Sequence, residues 1–407
     1  MDKEEIKQKL FERLKSYCEI DSQSDPNSKT FPSTQSQRKL AKLIVDELRK
    51  IGIDDLELDR YSYVYAKIPS NTSSKTKIGF IAHLDTSPAY SGKNVRVKLH
   101  RKWKGGNLVI GNGIYLDYKN CPPLKKHIGD DIITASGDTL LGADDKAGIA
   151  IIVTAAEYII KNSLPHPEIR ILFTPDEEIG KGVDKLDIKK FDCDYAFTFD
   201  GDLCGTIENE TFNADSLRID IKGRSVHPGS AKNQMANAVR IAADIISSWP
   251  ENMLAETTEN YDGFVMFDEI KGDVSYATIK GIVREHDMKK LRYMEALLKD
   301  IVDEKRKKYP LSDIKIEFKN QYRNMKKIID RYPKLMEKLI DAVKEAGIEP
   351  RIKPVRGGTD GARLCFMGIP TPNIFTGGYN YHGPYEWISL DSMYKSFDVL
   401  LNLCKRF

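Results

Sequence analysis

Two adjacent glutamates, Glu177 and Glu178, have the strongest potential for chemistry in this 407-residue chain. They follow an apolar run at residues 169–173 that predicts a buried strand. Adjacent carboxylates at the end of a strand repel each other, and both are costly to remove from water. A bound metal ion would offset that cost. A solvated loop would also accommodate the pair, so the pair alone does not decide between them.

A histidine and an aspartate follow a second apolar run. His83 and Asp85 stand two residues apart after residues 78–82, so a strand would point both side chains to the same side. Asp85 could then accept a hydrogen bond from one ring nitrogen of His83 and leave the other nitrogen for a metal ion. A purely structural His–Asp pair is the alternative.

Three further carboxylates and a second histidine complete a set of ligand-type residues. Asp144 and Asp145 open a strongly apolar helix, where they could either cap the helix or bind metal. Asp200 ends another apolar strand, and His382 lies in a glycine-rich turn near the C-terminus. Open α/β sheets bind ligands at their strand ends, and histidine with carboxylate but no cysteine suits zinc, cobalt or manganese.

The spacing of apolar residues predicts two kinds of domain. Residues 1–212 and 325–407 alternate strands with helices, which indicates an α/β domain with a mixed, largely parallel sheet flanked by helices. Residues 213–324 have a β-α-β-β-α-β-like pattern, which predicts an inserted α+β sandwich of the lid or dimerisation type. Residues 90–140 are dense in Gly, Lys and Pro, and we expect irregular surface excursions there.

Composition argues against several classes of protein. The chain has 63 basic and 60 acidic residues, and its net charge of +3 is too small to indicate a nucleic-acid partner. No apolar run approaches the roughly 20 residues that span a bilayer. The charged N-terminus predicts no signal peptide, and six scattered cysteines fit reduced thiols, so we expect a cytoplasmic protein without a membrane partner.

Taken together, the motifs resemble those of the M20 metallopeptidases, which use two co-catalytic zinc ions. The resemblance covers essentially the whole chain and rests on Phe-Pro-Ser-Thr at 31–34, Ala-His-Leu-Asp-Thr-Ser-Pro at 82–88 and Thr-Gly-Gly-Tyr-Asn-Tyr-His-Gly at 376–383. It implies an aminopeptidase that releases the first residue of tripeptides. Another hydrolase on the same scaffold (a dipeptidase, carboxypeptidase or N-acyl amino-acid deacylase) and a non-catalytic peptide-binding protein are the alternatives.

The resemblance also implies a role for each candidate residue. Two zinc ions per chain, or cobalt or manganese in their place, would be held by five side chains: His83 and Asp200 on one ion, Glu178 and His382 on the other, and Asp144 between them. Asp144 is preferred to Asp145 because the family pattern is Asp-x-Lys and Lys146 stands two residues after Asp144. Glu177 would be the general base, and Asp85 would orient the first histidine.

A short peptide is the partner that the resemblance implies, and several residues are candidates for binding it. His227, in the inserted domain, would donate to the oxyanion that develops at the scissile carbonyl, in its own active site or in that of a partner subunit. The candidates for the substrate carboxylate are Arg284, Arg356, Gly357, Gly358 and Thr359. Guanidinium groups and glycine-loop N–H groups bind carboxylates, whereas a tight turn and a surface arginine are the alternatives. Related enzymes also suggest a homodimer through the inserted domain.

Overall fold

The fold is known from a computed structural model that describes residues 2–407. The chain forms two compact units. The first comprises residues 2–209, Lys327–Lys353 and Thr359–Phe407, and the second comprises Glu210–Lys326 and Pro354–Gly358. In sequence, the second unit is therefore an insertion in the first.

The described residues contain ten α-helices and eighteen strands. The helices are α1 (Lys3–Cys18), α2 (Ser36–Lys50), α3 (Ala143–Lys161), α4 (Ile188–Phe191), α5 (Ala238–Ser247), α6 (Met288–Lys308), α7 (Lys326–Ile329), α8 (Pro333–Glu345), α9 (Asp360–Phe366) and α10 (Leu390–Arg406). The strands are β1 (Asp55–Leu58), β2 (Val64–Ile68), β3 (Lys77–His83), β4 (Lys98–His100), β5 (Leu108–Gly111), β6 (Ile114–Leu116), β7 (Ile132–Thr134), β8 (Glu168–Thr174), β9 (Tyr195–Gly201), β10 (Thr206–Glu210), β11 (Asn213–Lys222), β12 (Phe264–Gly272), β13 (Tyr276–Glu285), β14 (Asp313–Tyr322), β15 (Arg351–Pro354), β16 (Asn373–Phe375), β17 (Gly378–Tyr379) and β18 (Trp387–Ser389).

An eight-stranded mixed sheet forms the centre of the first unit, in the order β1-β2-β8-β3-β9-β16-β10-β15. Its middle strands, β8, β3, β9 and β16, run parallel, and β1, β2 and β10 pair antiparallel with their neighbours. Successive residues of β3 serve opposite faces, since Phe80 packs in one core and Ile81 in another. The predicted mixed sheet flanked by helices is confirmed.

Helix α3 lies against this sheet and is buried on nearly every side, as its apolar sequence predicts. It packs against α1, α10 and strand β3. Its first residues include Asp144, which is half-buried, and Asp145, which is buried. The core of the first unit therefore positions the start of this helix.

The segment from 90 to 140 differs from its prediction. It contains β4 to β7, and β4 and β7 form an antiparallel sheet with β17 and β18 in the order β17-β18-β7-β4. Apolar residues such as Trp103 and Ile132 pack there against Tyr379 and Trp387. The expected irregular excursion was wrong because these apolar residues are dispersed among Gly, Lys and Pro, and their packing partners come from the far end of the chain.

The second unit has an antiparallel sheet in the order β12-β13-β11-β14, with α5 and α6 packed on it. In β11, Leu217, Ile219 and Ile221 are buried, whereas Arg218 and Lys222 are exposed. This confirms the predicted half-exposed strand and the order β11-α5-β12-β13-α6-β14 matches the predicted β-α-β-β-α-β pattern.

Two further observations concern membrane-spanning helices and the cysteines. Among residues 2–407, no helix combines the length and the apolar character needed to cross a membrane. All six cysteines are free thiols, as the sequence predicts.

Candidate metal centre

The predicted ligands lie at one edge of the large sheet, where its parallel strands end. His83 is the last residue of β3 and pairs with Thr174, the last residue of β8. A short 3-10 turn, Glu177–Ile179, follows β8 and carries the two adjacent glutamates. Asp200 lies near the end of β9. Parallel strands bring these three segments to a common edge, which is where open α/β sheets bind ligands.

Asp144 lies between the two histidines. One of its carboxylate oxygens, Oδ1, is 3.0 Å from Nε2 of His83, and the other, Oδ2, is 3.0 Å from Nε2 of His382. The same nitrogen of His83 is 3.6 Å from Oδ1 of Asp200, and that of His382 is 3.1 Å from Oε2 of Glu178. The five side chains thus form two groups that share Asp144.

Asp145 is a second candidate for the shared position. It comes within 4.8 Å of His83 and Asp200 through ligand atoms. Its carboxylate is engaged elsewhere, however, because Oδ2 accepts the backbone N–H of His83 at 3.1 Å and Oδ1 accepts that of Gly148 at 3.1 Å. The backbone contacts of Asp145 hold the end of β3, and the shared position of Asp144 stays a prediction.

Asp85 supports both the histidine and the glutamates. Its carboxylate, which is fully buried, accepts the backbone N–H groups of Glu177 at 2.9 Å and Glu178 at 3.1 Å. Nδ1 of His83 is 3.0 Å from the Asp85 backbone oxygen and 3.4 Å from its Oδ1. The nearest acceptor for the ring is therefore the main chain of Asp85, and its side chain mainly fixes the turn that carries the glutamates.

The ligand-type side chains shift one another's pKa values. Burial alone would lower the pKa of both histidines, but hydrogen bonds to the carboxylates outweigh it and raise the pKa of His382 to about 11. Burial raises the pKa of Glu178 to about 7 and that of Asp200 to about 6. The carboxylates therefore favour positive charge beside them, which is what a metal ion supplies.

One buried oxygen of this group has no partner of its own. Among residues 2–407, no hydrogen-bond donor contacts Oε1 of Glu178, although this atom is buried. An unpaired buried carboxylate oxygen is costly, and a cation would satisfy it. Nitrogen and oxygen ligands without cysteine fit zinc, so the residues present suit the metal site that the sequence predicts.

A second layer of contacts holds the glutamate turn, and the sequence did not indicate it. Asp176, whose φ of +58° is left-handed, precedes the two glutamates and is fully buried. Its carboxylate accepts the N–H of Ser33 at 2.7 Å and Nε2 of Gln37 at 2.7 Å, and the Ser33 hydroxyl also binds it. Ser33 lies in the motif at 31–34 and Gln37 in helix α2, but nothing in their spacing indicated that they contact Asp176.

The turn that carries His382 is supported from the segment 90–140. His127 is buried, with Nε2 2.7 Å from the hydroxyl of Tyr379 and Nδ1 2.8 Å from Oδ2 of Asp130. The ring of Tyr379 stacks on that of Trp387, with centroids 4.1 Å apart. These two aromatic residues begin and end the turn, so the segment 90–140 fixes its base.

The predicted substrate-binding residues have contacts within their own units. The guanidinium of Arg356 donates to backbone oxygens of residues 258, 260 and 262, and that of Arg284 donates to the backbone oxygens of Asp215 and Val283. Gly358 packs so closely on the Tyr322 ring that a Cβ would lie 2.5 Å from it. These contacts give each residue a structural role, and their binding of substrate stays a prediction.

Thr359 and His227 are likewise engaged locally. The Thr359 hydroxyl accepts the N–H of Ala362 at 3.1 Å and so caps α9, and Gly357 lies in the connection that precedes it. Nδ1 of the exposed His227 accepts the N–H of Gly229 at 3.1 Å, which leaves Nε2 as the donor of this ring. Their roles toward a substrate also stay predictions.

Comparison with known proteins agrees with the fold. A family model described as Peptidase family M20/M25/M40 matches residues 136–406. Peptidase T of Clostridium perfringens is 45% identical over 399 residues, which cover 98% of this chain and 98% of that protein. Crystal structures of aminopeptidase PepT from Bacillus cereus and a tripeptidase from Staphylococcus aureus share the fold, each with a TM-score of 0.77 over 98% of both chains, at 20% and 19% identity. The family membership that the motifs imply is thus confirmed, and the chain belongs to the peptidase T group of the M20 peptidases.

Proposed function

We propose that this M20 peptidase releases the N-terminal residue of tripeptides, with two divalent metal ions and Glu177 as the general base. The position of Asp144 carries the proposal, since each of its carboxylate oxygens lies 3.0 Å from Nε2 of a different histidine. A carboxylate placed in this way can offer one oxygen to each of two ions. Such a shared ligand is what a two-metal hydrolase requires.

The ligand set suits Zn²⁺, with Co²⁺ or Mn²⁺ as alternatives. In this proposal His83 and Asp200 would hold one ion, Glu178 and His382 would hold the other, and Asp144 would contribute to both sites. When bound, the ions would supply Lewis-acid chemistry: polarisation of a carbonyl and a pKa of water lowered from about 15.7 toward about 7.

Glu177 moves the proton. It accepts a proton from the attacking water and returns it to the leaving amine. Burial raises the pKa of its carboxyl well above the usual range, and the nearby charge of Asp200 adds to this effect. The N–H of Glu177 donates to the buried Asp85 carboxylate at 2.9 Å, and this contact keeps the glutamate in place.

The substrate would be bound by residues outside the metal centre. We assign the oxyanion-donor role to Nε2 of His227, and the binding of the substrate carboxylate to Arg284 and the Arg356–Thr359 loop. A site that holds both ends of a short peptide selects its length by reach, which accounts for a preference for tripeptides. A second copy could pair at β12 or β14, the edge strands of the inserted sheet, to form a homodimer.

Hydrolysis of an unblocked tripeptide by the zinc-loaded protein tests this function. Its N-acetylated twin and a chelator-treated sample are the controls. We expect chelator-sensitive release of only the first residue from the free peptide. Cleavage of the acetylated peptide would favour a deacylase, release of the last residue a carboxypeptidase, and cleavage of neither a binding protein.

A further inference from the structure

Glu386 makes an unusual set of contacts beside the metal centre. It lies in the same turn as His382, between β17 and β18, and its side chain is buried, with a relative exposure of 1%. Its two oxygens accept four backbone N–H groups, those of Leu141 at 2.7 Å, Gly142 at 2.8 Å, Ala143 at 2.7 Å and Asp144 at 3.2 Å. No other carboxylate described above receives as many backbone donors.

These four donors belong to the segment that presents Asp144. The first N–H groups of a helix have no partner within the helix, and those of Ala143 and Asp144 at the start of α3 converge on this carboxylate with those of the two preceding residues. Gly142 has a left-handed φ of +79°, and Asp144 itself has non-helical angles, so helix geometry alone does not fix this segment. Glu386, more than 240 residues later, supplies the contact that does.

The hydrogen bonds of Glu386 therefore connect the two segments that carry Asp144 and His382, which belong to the proposed site of the second ion. Asp144 and His382 stand on different segments, yet Oδ2 of Asp144 and Nε2 of His382 are 3.0 Å apart. Glu386 is four residues after His382 on one segment and is hydrogen-bonded to the backbone of Asp144 on the other. A change at Glu386 alters the relative position of these two ligands without removing either.

We propose that Glu386 is a positioning residue that sets the placement of Asp144 against His382, and so controls binding of the second metal ion. The inference rests on the two-metal function proposed above. Outer contacts of this kind typically contribute 10- to 100-fold to metal affinity. The first group also uses Asp144, but its histidine, His83, is held separately by Asp145 and Asp85, so this group should depend less on Glu386.

Metal titration of the full-length apo protein tests the proposal without recourse to activity. Co²⁺ is added while heat release and the visible absorption of the bound ion are recorded for wild type, Glu386→Gln and Glu386→Asp. In Glu386→Gln the side-chain amide sets its own N–H donors against backbone donors. We expect the second equivalent to bind about 10- to 100-fold more weakly and the first to change less than about threefold. Glu386→Asp keeps the charge on a shorter side chain and should recover part of the affinity.

Glu157→Gln is the matched control. Glu157 is also a buried glutamate, lies in the same helix α3, and pairs with Lys9, Arg13 and Lys161 far from the metal centre. Its replacement removes a buried charge from α3, so it reports the effect of general destabilisation on metal binding. We expect this variant to bind both ions as the wild type does.

Each outcome either supports or overturns the positioning role of Glu386. Wild-type binding of both ions by Glu386→Gln, or an equal loss in Glu157→Gln, would overturn the positioning role and leave the two-metal function intact. If the wild type binds fewer than two ions, both the two-metal function and this inference fail. Should Glu386→Gln not fold, as judged by circular dichroism, Glu386→Asp carries the test, and undiminished binding of its second ion would overturn the proposal.

Discussion

The two sides of the metal centre are held in different ways. On one side, His83 and the Glu177–Glu178 pair follow neighbouring parallel strands, and Asp85 connects them over short distances. On the other side, His382 lies in a turn whose supports, His127 and Glu386, act across long separations in sequence. Ligands at strand ends are positioned by the sheet itself, whereas a ligand in a turn needs dedicated side-chain contacts. We therefore expect the strand-end side to determine the chemistry, and the turn side to determine how tightly the second ion binds.

Replacement of the general base should produce the largest effect, and it lies on the strand-end side. Glu177→Gln removes the proton acceptor while the five ligands remain, so we expect kcat to fall about 10²- to 10⁴-fold with unchanged zinc content. Steady-state kinetics and elemental analysis measure the two quantities. Glu168→Gln, on strand β8 but paired with Arg170, is the control and should keep its activity. Near-normal turnover by Glu177→Gln would refute its assignment as the base.

Metal removal should lower the stability of the folded protein on both sides of the metal centre, and it should do so more strongly at higher pH. The folded apo protein keeps protons on Glu178 and Asp200, whose pKa values are about 7 and about 6, above their unfolded values of about 4. It therefore loses stability as pH rises from about 4 to about 7, because the unfolded chain binds fewer protons in that range. The raised pKa of His382, about 11, extends this trend above pH 7.

Metal ions replace those protons, so the stability gained from zinc should grow from pH 5 to pH 8. At a free zinc concentration 100 times the dissociation constant, the gain is about 2.7 kcal/mol per ion. Thermal unfolding with excess zinc and with chelator, at pH 5, 6.5 and 8, measures it. A gain that stays constant or shrinks with rising pH would contradict the proposed ligand set.

A smaller effect is expected from weakening the contacts of His127, which support the turn that carries His382. His127→Phe removes the bonds to Tyr379 and Asp130 and leaves the buried Tyr379 hydroxyl without this partner, whereas Asp130 keeps Ser389; the change should cost about 1–3 kcal/mol. Urea unfolding measures the loss of stability, and zinc titration should show weaker binding of the second ion only. Lys126→Ala, at the exposed neighbouring position, is the control. Equal results for the two variants would remove the distinction between the sides.

The smallest effect is expected from weakening the contacts that hold Asp176, next to the two glutamates on the strand-end side of the metal centre. Gln37→Ala removes one donor from the Asp176 carboxylate and the acceptor of the Asp176 N–H, but Ser33 still binds that carboxylate through both its N–H and its hydroxyl. We expect a loss of about 1 kcal/mol in stability and only a few-fold fall in kcat. Zinc affinity should not change. A loss of turnover as large as that of Glu177→Gln would show that this support matters as much as the base.

The difference between the two sides also explains what the sequence could predict. Strand-end residues such as His83 and Asp200 follow apolar runs, and the parallel sheet brings such ends together. The segment 90–140 has no periodic apolar pattern, and its core forms only with Tyr379 and Trp387. Glu386 reads as an ordinary acidic residue in a polar turn, since its four partners are backbone groups that leave no mark in side-chain spacing.

The central claim is that two metal ions share Asp144. Anomalous diffraction from crystals of the zinc-loaded protein at the zinc absorption edge tests it most directly. We predict two peaks, one bound by His83 and Asp200 and the other by Glu178 and His382, each also bound by one oxygen of Asp144. A single peak, or two ions joined by Asp145 instead, would contradict the account.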